Sequence, residues 1–272
     1  MAEIVRQQNI DTTEKKPTVI AVTDGPAIPR KKDIGLFTAW RVSFVGAIAI
    51  VIYLAAVHPD PYWRILQFLP DGVLVTFQVT VESIILALII GLFTGLGRIS
   101  KNKLLNGIAS LYVEVIRGIP LLVQLFYIYY ALGRIINLPA TMSAVIAMAV
   151  CYGAYMGEIF RAGIESIPHG QMEAARSLGM SSGQAMRHVI LPQAFKTILP
   201  PVGNEFVALL KDSSLVSILA VSDLLRRGRE FASESFTYFE TYTMVALVYL
   251  IITLFLSKGV SIMEERISVD ER

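Results

Sequence analysis

The sequence predicts an all-α, polytopic membrane protein of about six transmembrane helices, with a long polar helix-turn-helix between the fourth and fifth. Three observations carry that expectation. Hydrophobic residues make up 54% of the 272 positions and charged residues only 17%, against roughly 25% charged in soluble domains. The mean hydropathy is +0.58. Apolar runs recur at lengths near the about 20 residues a helix needs to cross a hydrocarbon core of about 30 Å. A net charge of +2 is too small to suggest nucleic acid. The single cysteine, Cys151, lies in an apolar run, which excludes a disulfide framework or a cysteine metal cluster.

Taken in order, residues 1–33 are polar and mixed in charge and read as a disordered cytoplasmic tail. They do not read as a cleavable signal, because the next apolar stretch starts too late and lacks a small-residue cleavage pattern. The first span is expected at 34–57, with Arg41 near its inner end, and the second at 72–97, containing Glu82. A third is expected at 119–136 and a fourth at 141–160. The fifth, 197–221, is interrupted by Lys211 and Asp212, and each such charge costs about 2.5–3.5 kcal/mol at a helix centre. The sixth is 238–257, and residues 263–272 read as a cytoplasmic tail. Six spans put both termini on one side. With the tail, the 98–107 loop, the 161–196 segment and the C-terminus inside, sixteen lysines and arginines lie there and five lie opposite. That bias places both termini in the cytoplasm. Arg226, Arg227 and Arg229 run against it, and their placement suggests a partner surface.

The segment 165–196 is polar yet carries its own helix signals. Gln171 to Leu178 are good helix formers, and Gly179 sits where a helix ends on a left-handed residue. Ser181 followed by Gln184 is a capping-box pattern. Met186, Val189 and Ile190 then form an apolar stripe, with Pro192 as the expected stop. A helix-glycine turn-helix is also how one DNA-binding motif looks, but Arg176, Arg187 and His188 are a thin basic footprint for phosphates. A loop of this length with its own helices is more often functional than idle.

Glu173-Ala174-Ala175, three residues, Gly179, ten residues and then Ile190-Leu191-Pro192 resemble the EAA loop of ABC importer permeases. The runs 114–124 (EVIRGIPLLVQ) and 157–164 (GEIFRAGI) are similar to the branch that takes up polar amino acids such as histidine, arginine, glutamine and glutamate. So are Gly170-Gln171, Pro200-Pro201, Asn204 and Lys211-Asp212-Ser213-Ser214-Leu215. The likeness covers roughly 72–262, the expected permease core. That branch carries threonine where Ser213 stands and usually has five spans, so the span at 34–57 and its tail look like an addition.

The resemblance implies a multi-pass subunit of the cell inner membrane with no covalent chemistry of its own. Gly170, Glu173, Ala174, Ala175, Leu178 and Gly179 would form the coupling contact with an ATPase. No glycine-rich P-loop with its lysine occurs in the sequence, so the ATP-binding cassette subunit is expected as a separate chain. An extracytoplasmic substrate-binding protein and a second permease copy, identical or paralogous, are the other expected partners. No cofactor and no metal are expected, and no acid, base or metal residues are spaced for catalysis.

Ionisable and polar groups inside spans mark candidate pathways: Lys211, Asp212, Ser213, Gln124 and Glu205. Lys211 and Asp212 are consecutive and point about 100° apart on a helix. One reading turns them to a water-filled cavity, where an amino acid's carboxylate and ammonium would meet opposite charges. The other sets them near a membrane face, tying the bundle together. Glu114 with Arg117, and Glu158 with Arg161, are three apart and are expected to be structural ion pairs. Glu82 and Glu205 have no evident local partner.

Overall fold

Two long helices meet along glycine. The computed structural model describes residues 38–269, and from Ala39 onward they form one compact unit. The expected disordered tail, the first four residues of the 34–57 span and residues 270–272 lie outside the described residues. Among the described residues, helix α3 (Pro70–Arg98) and helix α7 (Ala140–Glu165) make the most extensive pairing. Gly91 and Gly95 of α3 lie against Met156, Gly157 and Phe160, and Gly153 and Gly157 of α7 lie against Ile90 and Thr94. None of these glycines has room for a Cβ, and small residues are what bring membrane helix backbones this close. Ser83 donates to the Val145 carbonyl across the seam at 3.4 Å. α7 is two-thirds buried along its apolar window and forms the centre of the bundle.

The outer helices show the opposite pattern. In α1 (Ala39–Val57) only Ala47 is buried, and α12 (Tyr238–Val269) has very few buried residues along its apolar window. Apolar surface left open on this scale belongs in lipid rather than water. α1 runs antiparallel to α12. Trp40 donates to the Leu254 carbonyl at 2.9 Å, whereas Val51 and Leu54 pack with Met244, Val245 and Leu247. A short helix, α2 (Pro59–Phe68), links α1 to α3 where the sequence suggested only a loop.

Four helices among the described residues are long and apolar enough to cross a membrane, or five if one bent pair counts as a span. The bent pair replaces the expected straight span at 119–136. α4 (Lys103–Gly118) and α5 (Leu121–Phe126, continued by a π-turn to Leu132) meet at 102°. Pro120 forces Ile119 into extended backbone at φ −108°, ψ 129°, which ends α4. A single helical turn, α6 (Gly133–Ile136), then closes on Asn137 in the left-handed region.

The expected fifth span is α10 (Leu191–Asp212), with Pro200 and Pro201 inside it and a 3₁₀ segment (Ser213–Leu219) beyond. It is long enough, but Lys196, Asn204, Glu205, Lys211 and Asp212 keep it out of the strongly apolar set. α12 continues as helix to Val269, so residues 263–269 are not a free tail.

The arginine cluster acquires a structural account. α11 (Leu224–Ser235) is amphipathic, and the buried Asp223 caps it by accepting from the N–H groups of Leu225 and Arg226 at 3.2 and 3.1 Å. Arg226 pairs with Glu230 at 2.9 Å, and Arg229 donates to the Ser217 carbonyl at 3.1 Å. Arg227 lies 3.9 Å over Phe68 and 3.5 Å from Asp71.

Candidate functional site

Two features stand out, and one run of helix joins them. The first is the helix-turn-helix. α8 (His169–Ser177) ends in a Schellman turn in which Gly179 N–H donates to Arg176 O at 3.0 Å and Met180 N–H to Ala175 O at 3.2 Å. Gly179 has φ +88°, the left-handed conformation that glycine adopts most cheaply. The capping box forms as its spacing suggests: Gln184 N–H donates to Ser181 Oγ, and Ser181 N–H donates to Gln184 Oε1.

α9 (Ser182–Ala185) follows, but Pro192 does not stop it. A π-turn (Met186–Ile190) widens the helix and passes into α10, placing Pro192 in the first turn of that helix, where a missing N–H costs least.

The outward face of this unit is small and stiff. Gly170, Glu173, Ala174 and Gly179 are exposed, and Leu178 is 81% exposed. Ala175 differs: it is buried and supports the turn from below. Glu173 has no ion-pair partner among the described residues. Met172, Met186, Val189 and Ile190 pack with Ile164, Ala194 and Ile198, fixing the unit to α7 and α10. Gly163 lets Ile198 lie directly against α7. Beside this cluster, Glu158 bridges Arg98 of α3 and Arg161, which also pairs with Glu165. The expected Glu158–Arg161 pair is present.

The second feature is a cavity of about 410 Å³ at the α4–α5 elbow. It is lined by Arg117 through Leu121 at the elbow, by Cys151, Tyr152 and Tyr155 of α7, and by Glu205 and Asp212 of α10. Arg117 and Asp212 are exposed, Tyr155 and Glu205 half-buried, and Cys151 and Tyr152 buried, so the cavity leads from surface to interior. Tyr152 Oη donates to Asp212 Oδ2 at 2.8 Å. Arg117 stacks over the Tyr155 ring at 5.0 Å instead of pairing with Glu114. Neither Arg117 nor Glu205 has a hydrogen-bonded or ion-pair partner among the described residues.

Of the five pathway candidates read from sequence, Asp212 and Glu205 line this cavity. Lys211 is exposed and faces away. Ser213 is buried, and its hydroxyl donates to the Leu210 carbonyl at 2.7 Å where the α-helix tightens into 3₁₀. Gln124 braces the elbow. Its Nε2 donates to the carbonyls of Ile116 and Ile119, both at 2.8 Å, and Ile116 O also accepts from the Ile119 N–H that closes α4. Glu82 accepts from Gln78 at 2.9 Å, so it does have a local partner. Sequence reasoning missed Tyr152, Tyr155 and the cavity role of Arg117. The two tyrosines sit three apart on α7, a helical spacing hidden within an apolar run.

Known proteins are similar to most of this chain. Residues 87–269 match the family described as binding-protein-dependent transport system inner membrane component. The probable amino-acid permease protein YxeN of Bacillus subtilis (strain 168) is 40% identical over 199 residues, covering 71% of this chain and 86% of that protein. The glutamine transport system permease protein GlnP of Escherichia coli (strain K12) is 36% identical over 210 residues, covering 76% and 96%. Among solved structures, an amino acid ABC transporter crystallised with histidines superposes with a TM-score of 0.71 at 42% identity, covering 79% of this chain and 98% of that one. The family match runs from the second half of α3 to the end of α12, a range that contains the residues of the helix-turn-helix and of the cavity lining. The chain therefore belongs to the family of binding-protein-dependent transport system inner membrane components.

Proposed function

We propose that this chain is the permease subunit of an ATP-driven importer, that it forms the path for a polar amino acid, and that residues 165–196 seat on a separate ATP-binding cassette ATPase. One observation carries the proposal: helical backbone runs from Ser182 at the exposed turn to Asp212 in the cavity. That length corresponds to about 45 Å at 1.5 Å per residue. A push at the turn therefore reaches Glu205 and Asp212 along one helix, with Pro200 and Pro201 as the places where it can bend. The cavity presents a guanidinium and carboxylates together, which suits the two opposite charges of an amino acid. The amino-acid substrates in the names of its relatives support the same choice.

A second permease copy, identical or paralogous, would complete the path, and an extracytoplasmic binding protein would deliver the substrate. Exposed Gly170, Glu173, Ala174 and Leu178 would meet the ATPase, with Gly179 and buried Ala175 holding their geometry. ATP hydrolysis belongs to the partner chain.

The test is reconstitution in proteoliposomes with the ATPase and binding protein, scoring ATPase retention, substrate-stimulated hydrolysis and uptake together. Glu173→Lys reverses the carboxylate charge on the seating face. It should leave the permease inserted while lowering retention or separating hydrolysis from uptake. Wild-type values on all three readouts would end the coupling assignment.

A further inference from the structure

The charges around the cavity do not balance for a neutral amino acid. An amino acid's α-carboxylate needs one cationic partner and its α-ammonium one anionic partner. Arg117 is the sole cation among the lining residues, while Glu205 and Asp212 supply two carboxylates. The remaining lining groups are backbone, apolar side chains, the Cys151 thiol and the Tyr152 and Tyr155 phenols, all neutral in water near pH 7. One carboxylate is therefore left over. Lys211 does not supply the missing cation, because it lies one residue from Asp212 and outside the lining.

We infer that the cavity selects an amino acid with a cationic side chain, the surplus carboxylate serving as its counter-charge. This rests on the proposed amino-acid path and names its substrate class. The two carboxylates divide the work by their surroundings. Asp212 is already held by the Tyr152 hydroxyl at 2.8 Å and stands exposed, so it is fixed in place to receive the α-ammonium. Glu205 is half-buried and has no hydrogen-bonded partner among the described residues. It sits seven residues, about two helical turns, before Asp212 and so on the same face of α10, deeper along the helix.

A substrate with its α-carboxylate at Arg117 and its α-ammonium at Asp212 would extend its side chain toward Glu205. A cation there meets an unpaired, partly desolvated carboxylate, where charge-assisted hydrogen bonds are strongest. A neutral amide leaves that carboxylate unmatched, and an anionic side chain is repelled. The half-buried Tyr155 ring, which also lines the cavity, favours a cation as well, as the stacking of Arg117 over it illustrates.

The experiment measures binding of L-arginine, L-lysine, L-glutamine and L-glutamate to the full chain in lipid nanodiscs at pH 7, each with and without sodium chloride. L-arginine and L-lysine should bind at least about tenfold tighter than L-glutamine, the value of one matched charge contact. Glu205→Gln should weaken the basic amino acids by about tenfold and so remove their advantage over L-glutamine measured on the same variant. The wild-type comparison needs no variant to fold, so it stands alone.

L-glutamine binding as tightly as L-arginine would overturn the inference. If it did so only with sodium, the counter-charge would be an inorganic cation instead. Tighter binding of L-glutamate would overturn it as well. In those cases amino-acid binding that Arg117→Ala abolishes would leave the proposed path standing. Absence of binding by all four, or binding indifferent to Arg117→Ala, would remove the path itself and the inference with it.

Discussion

At the scale of single residues, two neighbours that the sequence could not separate now part company. Lys211 and Asp212 carry opposite charges side by side in the apolar run, but only Asp212 lines the cavity and accepts from Tyr152. Asp212→Ala should cut uptake by about tenfold or more, since it strips a charge-assisted contact. Lys211→Ala should stay within about twofold of wild type, measured by initial uptake rates at equal membrane abundance. Equal losses in both would return the pair to a shared structural role. Arg117 stayed hidden for a related reason: at three residues' spacing, Glu114 was the nearest visible partner, and an aromatic ring 38 positions away was not visible at all. Gly179 was legible because its cause is local. It meets no heavy atom within 4 Å where a Cβ would stand, so only its φ of +88° demands glycine. Gly179→Val should therefore strain the turn by about 1–3 kcal/mol, while Gly179→Asn, a residue that tolerates left-handed backbone, should cost less. Thermal unfolding of the two variants should rank them in that order.

One titrating residue outside the spans adds a test of pH. Burial pushes the Asp223 carboxyl up to about 6, against the lowering effect of N–H bonds from Arg226 and Leu225 and the Tyr249 hydroxyl. A carboxyl raised on folding disfavours its own charged form, so the fold binds the proton more tightly than the unfolded chain does. This contribution to stability should be largest below about pH 4, the unfolded value, and decline as pH rises toward about 6. Asp223→Asn keeps the helix cap without the charge and should flatten that decline. The check is the unfolding midpoint in detergent between pH 4 and 7, compared between the two proteins.

At the scale of elements, local signals were read well and contacts between distant elements poorly. The Ser181–Gln184 capping box and the Gly179 turn are fixed within a few residues, and both appear as their spacing suggests. The elbow before α5 is different, because Gln124 holds it by reaching back to Ile116 and Ile119. α4 itself was overlooked, as Lys103, Asn106, Glu114 and Arg117 dilute its apolar stripe. The glycine seam was equally hidden: Gly91, Gly95, Gly153 and Gly157 lie within apolar runs, and nothing in either run says that the other is its partner. Once paired, they set a sharp requirement. Gly91→Val would drive a side chain into Met156, and such overpacking costs about 1–3 kcal/mol. A lower unfolding midpoint with preserved insertion is expected, and an unchanged midpoint would mean that the α3–α7 seam has slack.

At the scale of the whole molecule, the direction of each helix bears on which ends share a side of the membrane. α3 begins beside α11, where Gly72 lies against Leu224 and Arg227, and ends beside the helix-turn-helix, where Ile99 joins the cluster around Ile190. α12 runs the same way, from Met244 in the cluster with Leu224 to Val260 against Gly203 of α10. Because α1 is antiparallel to α12, its first turn falls at the end shared by the helix-turn-helix and the end of α12. The sixteen-to-five bias in basic residues predicts that this shared end faces the cytoplasm. The count of spans is the less direct part, since α10 is long enough to cross but too polar to be recognised by composition. Its two carboxylates, Glu205 and Asp212, lie where the helix lines a cavity, and that is the circumstance in which a spanning helix tolerates them. Reporter fusions before residue 34, near residue 180 and at the turn around residue 236 separate the possibilities. The first two should report the cytoplasm and the third the opposite side. If the first fusion reported outside while residue 180 stayed inside, α1 would not span and the six-span arrangement would fail. If the fusion at 236 also reported inside, α10 would enter and leave by the same face. The cavity carboxylates it carries would then line a re-entrant segment instead of a crossing helix.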